Sequence, residues 1–176
     1  MLHGKFVLPG LAETEVSVSR IRLDAASPLN RNDPHIHREC EIYINLSGDV
    51  AFEVENRVYP VTRGSVILTR PYEYHRCIYR SDQPHDHWWI TFFARETEPF
   101  LNMFFDREKG SANRIVLEEQ QLCQLCDALT ELLQSEDALS RRIVFLQALR
   151  ILSAGARQSE PQPGQGLPGD VAAALR

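Results

Sequence analysis

The sequence predicts a mainly β domain, a sandwich or barrel, followed by an antiparallel pair of helices. Three observations carry this. Short runs of strand composition recur at even spacing through the first two-thirds of the chain. Turn residues separate them at Ser47-Gly48-Asp49, Glu55-Asn56-Arg57, Arg63-Gly64 and Ser81-Asp82-Gln83-Pro84. Beyond Pro99 the apolar period lengthens from two residues to 3.6.

The first strand, EVSVSRIRL (15–23), alternates until its phase slips near Ser19, which predicts a β-bulge. EIYINL, VAFEV, RVYPV, SVILT, HRCIY and HWWITFFA follow. Trp88 and Trp89 fall on opposite faces of the last of these, so one enters the barrel and the other is covered from outside. EPFLNMFFD reads as a short helix. EEQQLCQLCDALTELLQ then aligns Leu122, Leu125, Cys126, Leu129, Leu132 and Leu133 on one stripe. Ser135-Glu136-Asp137 breaks the pattern. LSRRIVFLQALRILSAG carries Phe145, Ala148, Leu149 and Leu152, with Gly155 as its expected stop. Ile143, Val144, Leu146 and Ile151 lie outside that stripe, so this helix expects a second partner. The Arg141-Arg142 pair reads as a solvated helix start. The barrel with its amino-terminal arm is expected over 1–112 and the helix hairpin over 113–156. A Pro/Gly/Gln-rich linker is expected over 157–169. DVAAALR (170–176) reads as an Asp-capped helix cut short, the start of a further domain.

A chain of 176 residues can bury roughly 70% of its unfolded surface, enough for a core without disulfides or metal. The net charge is −5 and the pI about 5.7, which argues against strong DNA binding by this chain alone. The amino terminus lacks the apolar run of a signal peptide, and no stretch is long enough to span a membrane. The expected location is the cytoplasm, where Cys40, Cys77, Cys123 and Cys126 stay free thiols. Cys123-x-x-Cys126 falls within a helical pattern, not at its start, and reads as structural.

The stretch HIHRECEIYINLSG (35–48) concentrates the chemistry. His35, His37 and Glu41 share one strand face by parity. A straight strand would carry Glu41 roughly 13 Å past His37, too far to share an ion. Convergence therefore requires a bend at Arg38-Glu39-Cys40. His75, after a Gly-led strand and a Pro turn, is the expected fourth member. Three imidazoles and a carboxylate suit zinc, nickel, iron or manganese. The same four also suit the polar wall of a ligand pocket, or a structural corner. Tyr43 and Asn45 share Glu41's parity and join the pocket on that reading. So does Trp89, in phase with His87 and Thr91; its face suits the C–H side of a sugar ring. His85 and His87, after Pro84, are expected to be exposed loop residues.

His35-x-His37-x3-Glu41-x6-Gly48 resembles the first cupin motif, and Gly64 through Pro71 to His75 resembles the second. Arg70 and Tyr72 stand where the second motif has glycine, and Leu29 stands near the glycine that precedes the first. The stretch from His35 to Cys77, with the helix pair and linker, is similar to the amino-terminal sensing domain of AraC-family transcription regulators. That resemblance implies a cupin-like double-stranded β-helix (jelly-roll) barrel with a small effector, often a sugar, inside it. It also implies a homodimer through the helices at 118–154, and DNA binding only through a helix-turn-helix domain beyond Arg176. The chain is then a sensor and not an enzyme. The rival is a small cupin metalloenzyme, a dioxygenase or isomerase, using the three histidines and Glu41. A barrel that only scaffolds oligomers is the third option.

Overall fold

A computed structural model describes residues 1–8, 14–24, 33–94, 99–158 and 165–166. The strands are β1 (Leu2–Leu8), β2 (Thr14–Leu23), β3 (Cys40–Ser47), β4 (Val50–Val54), β5 (Arg57–Val61), β6 (Ser65–Thr69), β7 (His75–Tyr79), β8 (His85–Phe92), β9 (Arg114–Val116) and β10 (Gln165–Gly166). A 3-10 turn at Pro99–Leu101 leads into α1 (Asn102–Phe105); α2 (Glu119–Gln134) and α3 (Ala138–Gln158) form the hairpin. One sheet runs β1-β2-β8-β3-β6-β9, the other β10-β5-β4-β7. All pairings are antiparallel. The fold is a mainly β cupin-like double-stranded β-helix followed by helices.

Alternation divides the larger sheet into two unlike faces. Val16, Val18, Ile42, Ile44, Val66, Leu68, Trp88 and Ile90 face outward and pack with Leu122, Leu125, Leu129, Phe145, Leu149 and Leu152 of the hairpin. This is the main core. The inward face meets the smaller sheet in a lesser apolar cluster around Tyr43, Phe52, Tyr59 and Ile67. Because the principal core lies outside the barrel, the inward face is free to be polar.

The expected bulge at Ser19 is not there. β2 keeps an unbroken register with β8 from Val16 to Leu23 and with β1 from Thr14 to Arg20. Its apolar phase changes because both its faces are covered: Val16 and Val18 point to the helices, while Leu23 is buried on the opposite face. Arg20 takes the outward position after Val18, lying 5.8 Å from the Trp88 ring centroid. It also grips Asp86 with hydrogen bonds of 3.1 and 2.9 Å. The register shift falls instead in β3, between Asn45 and Ser47 against β8.

Gly155 does not stop α3, which continues to Gln158. The glycine is buried, and a Cβ there would collide with the Leu117 side chain, so its role is close approach of helix to strand. Val144 does not belong to a second helix face; it is buried in the chain's own core. Arg141 lies over the Phe6 ring at 5.3 Å. β1, β9 and β10 had no recognisable sequence pattern. Within the expected linker, Gln165–Gly166 pairs with β5; the helix expected over 170–176 and the position of Leu29 lie outside the described residues. No helix among the described residues is long and apolar enough to cross a membrane.

Turns follow the backbone chemistry. Glu55 and Asn56, both left-handed with φ of 49° and 67°, join β4 to β5, as a two-residue type I′ turn requires. Gly48 has φ of 114°. Tyr72, in one of the places where the cupin motif has glycine, also has φ of 61°. Its N–H donates to the His37 carbonyl at 2.9 Å and its own carbonyl accepts from Lys109 Nζ at 2.6 Å. These bonds hold a conformation that costs a non-glycine residue about 1 kcal/mol. Tyr72 is 53% exposed, so its side chain loses little packing when removed. Tyr72→Gly should therefore raise stability by about 1 kcal/mol, and Tyr72→Ala should not. Urea denaturation of the three proteins checks this; a Gly variant no more stable than the Ala variant would refute it.

Candidate functional site

The bend the sequence required is present. The backbone turns at Arg38 and Glu39, immediately before β3 begins at Cys40. His35 forms an isolated bridge with His75, each N–H donating to the other's carbonyl at 3.0 Å. The bridge ties the segment before β3 to β7 of the other sheet. His35, His37, Glu41 and His75 thus converge, with one potential ligand atom from each lying within 4.8 Å of all the others.

Glu41 is the centre of this group and is 1% exposed. Its Oε2 lies 3.1 Å from His37 Nε2, and its Oε1 lies 3.5 Å from His75 Nε2. Burial pushes the Glu41 carboxyl up, but the two imidazoles outweigh it and hold the group at about 2. Burial lowers the His75 value, yet Glu41 leaves it raised overall.

Tautomers give the arrangement its chemical sense. His75 Nδ1 lies 2.8 Å from the Glu73 carbonyl, and His35 Nδ1 lies 2.9 Å from the Asp33 carbonyl. A ring nitrogen facing a carbonyl must carry the hydrogen. When neutral, each ring therefore presents an Nε2 lone pair. For His75 that lone pair faces a carboxylate oxygen, and Nε2 has no hydrogen-bond partner among the described residues. Two acceptors face to face need a cation between them, a proton or a metal ion. Opposite ligands of an ion with bonds of about 2.1 Å are roughly 4.2 Å apart. The cluster is close to that size, and its donors fit an ion. His35, His37, Glu41 and His75 would hold it.

A second layer supports His75. The Glu73 side chain is fully buried and accepts from Arg107 at 2.6 and 2.8 Å, Gly110 N at 2.9 Å, Asn113 Nδ2 at 3.0 Å and Arg70 N at 2.9 Å. Burial alone would raise its pKa; Arg107 and the other donors hold it below its ordinary value. The carbonyl that orients His75 is thereby fixed to the segment between α1 and β9. Sequence reasoning missed Glu73 and Arg107, since nothing local pairs residues so far apart in the chain.

Beside the cluster is a cavity of about 360 Å³, lined by His35, His37, Glu39, Glu41, Trp89 and Thr91, with Ser17, Ser19 and Ile21 of β2. That is within the usual size for a small-molecule pocket. Trp89 reaches it, as its parity predicted, while Trp88 is buried under the helices. Ser17 and Ser19 were not predicted; their alternation with Val16 and Val18 was the available signal.

Tyr43 and Asn45 point inward but do not line this cavity. They are buried deeper, where the Tyr43 hydroxyl lies 2.6 Å from His85 Nε2 and 3.1 Å from Asn45 Oδ1. His85 and His87 correct the sequence reading most clearly. They are not exposed loop residues but the inward-facing start of β8, each 2% exposed. His87 stacks on Tyr43, with ring centroids 4.9 Å apart. Burial pushes His85 down to about 4 and His87 to about 3, so both rings are neutral. Their shared phase with Trp89 and Thr91 was the signal for burial. None of the four cysteines forms a disulfide among the described residues, and Cys123 and Cys126 lie inside α2 as expected.

The description of the AraC-like ligand binding domain matches residues 17–149. That span is most of the chain, and the chain belongs to this family, whose members take a small-molecule effector. Among solved structures, the chain is similar to AerE from Microcystis aeruginosa at 13% identity over 53% of this chain and 47% of that one, with a TM-score of 0.39. The chain thus spans less than half the length of AerE. It is similar to a Cupin 2 conserved barrel domain protein from Salinispora arenicola at 18% identity, covering 51% of this chain and 72% of the other, TM-score 0.36. It is also similar to an RmlC-like cupin family protein with a double-stranded β-helix fold from Methanocaldococcus jannaschii at 9% identity, covering 51% and 70%, TM-score 0.35. No curated protein matches the chain.

The lowered Glu41 value sets a pH dependence. A carboxyl whose folded pKa lies below its ordinary 4.5 adds stability that is fully present above that value. The contribution is lost as pH falls toward about 2. The raised His75 works in the opposite direction, contributing below its ordinary 6.5 and fading as pH rises through its folded value. The Glu41 contribution is on the order of 3 kcal/mol. Glu41→Gln should therefore flatten the loss of stability between about pH 4.5 and 2. Denaturant melts across that range check it; an acid limb identical to wild type would show that Glu41 does not set it.

Proposed function

We propose that this chain is the effector-sensing and dimerisation domain of an AraC-type transcription regulator. A small polar molecule, a sugar or sugar derivative, binds in the cavity beside His35, His37, Glu41 and His75. Its occupancy controls DNA binding by a carboxy-terminal helix-turn-helix domain outside this sequence, and the protein works in the cytoplasm. The observation that carries this reading is the cavity itself. Trp89 offers an aromatic face for C–H groups, while Ser17, Ser19 and Thr91 offer hydroxyls beside a buried carboxylate. His35, His37, Glu41 and His75 would hold a zinc, nickel, iron or manganese ion, which would supply Lewis acidity beside the effector oxygens. His87 lies 6.2 Å from Trp89 between ring centroids, and Tyr43 is the cross-strand partner of Trp89.

Titration calorimetry against a sugar panel, with metal-stripped and zinc-loaded protein, tests the reading. Trp89→Ala should weaken binding about tenfold or more, the loss of a large aromatic contact. Glu41→Ala should weaken it too. Metal content is read on protein made without an affinity tag. An alternative reading draws on the cluster alone: a small cupin metalloenzyme, a dioxygenase or isomerase, with the same four ligands. Turnover of a bound compound by the metal-loaded chain would favour it.

The dimer is proposed to form through the hairpin at 118–154. On α3, Leu139 is 68% and Ile143 56% exposed, and the half-buried Leu146 lies on the same side at helical spacing. A second copy of the chain is the proposed cover, since two-fold pairing is the commonest assembly. Leu139→Glu and Ile143→Glu should each shift sedimenting dimer to monomer at tens of micromolar. Wild-type monomer, or dimeric variants, would place the interface elsewhere.

A further inference from the structure

We propose that the cavity selects effectors without an anionic group: an uncharged polyhydroxyl compound is accepted, and its carboxylate or phosphate derivatives are rejected. This rests on the cavity being the effector site. The carrying observation is the charge of the wall. Two carboxylates, Glu39 and Glu41, line the cavity, and no arginine or lysine does so among the described residues. Those two carboxylates give the wall a formal charge of −2 before any ion is counted. A divalent ion on the histidine cluster would bring it to zero. In neither state is the wall net positive, as recognition of a phosphate or carboxylate would demand.

Arg38, between His37 and Glu39, is exposed and does not line the cavity, and five further arginines are engaged elsewhere. Arg20 and Arg22 on β2 both pair with Asp86, on the opposite face of the sheet. Arg107 is committed to Glu73 and to the Leu68 and Ser111 carbonyls. Arg70 donates to the Phe105 and Arg107 carbonyls, and Arg76 pairs with Glu53 at 2.6 Å. None of these five lines the cavity.

Besides its two carboxylates the wall offers uncharged hydroxyls. Ser17 is directly cross-strand from Thr91, and Thr91 from Glu41, all three lining the cavity. Cross-strand partners share a face, so two hydroxyls and one carboxylate stand abreast across three strands. Hydroxyls both donate and accept, and a carboxylate accepts. The complement of such a row is a row of hydroxyl groups. Trp89, one level away beside Ser19, supplies the apolar face. An anionic group placed near Glu39 or Glu41 would meet like charge, which weakens binding by about tenfold at partly screened separations.

The test uses matched triples: glucose, glucuronate and glucose 6-phosphate, and the corresponding triples built on galactose and xylose. Each is titrated calorimetrically at low ionic strength into the full chain, metal-stripped and zinc-loaded. The expected result is binding of a neutral sugar at least tenfold tighter than its acid and its phosphate, in both metal states. Glu39→Gln should narrow that ratio to a few-fold. Tighter or equal binding of an anionic member overturns the inference and leaves the effector site standing. An unchanged ratio in Glu39→Gln overturns the assignment of selectivity to the wall charge. Failure of every member to bind overturns the carbohydrate reading of the cavity, and this inference with it.

Discussion

A carboxylate buried in the middle of a sheet organises this molecule. Glu41 has almost no contact with water, and a lone buried charge is costly unless donors or cations surround it. The segment before β3 supplies His37 by bending sharply at Arg38 and Glu39. The opposite sheet supplies His75 through its bridge to His35. His75 is aimed by the Glu73 carbonyl, and Glu73 is in turn a buried carboxylate that needs Arg107. Two buried acids thus anchor a chain of dependent contacts running from β3 through β7 to the segment after α1.

The second constraint is where the oil goes. A barrel usually fills its own interior. Here the large core forms outside, between the six-stranded sheet and the helix hairpin. That choice is what allows serines, threonines, histidines and acids to occupy the inward side of β2, β3 and β8. The hairpin is therefore a condition of the cavity as well as a candidate surface for association.

Much of this was legible in the chain. Strand composition and turn residues located β3 through β8, and the change to a 3.6-residue period located α2 and α3. The argument that His35, His37 and Glu41 converge only across a bend followed from the rise of a strand, and the bend is where that argument put it. Other features were hidden for physical reasons. The phase change in β2 imitated a bulge because a strand covered on both sides has no polar face to keep its alternation clean. His85 and His87 imitated a loop because Pro84 precedes them, although they pair at once with Leu23 and Ile21. Gly155 imitated a helix stop because the sequence does not show that Leu117 presses on that position. Glu73 and Arg107 gave no signal, since only the folded chain brings them together. Whether the gathered residues bind an effector or an ion is a property of the site and not of the fold.

Successive residues of β8 look in opposite directions. Trp89 and Thr91 are wall to the cavity, while Trp88, Ile90 and Phe92 are seat to the helices. Phe92 in particular touches Phe145 of α3, with centroids 5.4 Å apart, and Phe104 of α1 at 5.8 Å. The strand is a partition one backbone thick, crowded on both sides. Close-packed aromatic contacts have no slack to absorb a displacement. Thr91 of the wall and Phe92 of the aromatic seat are one peptide bond apart, so cavity and helices share a single strand with no element between them.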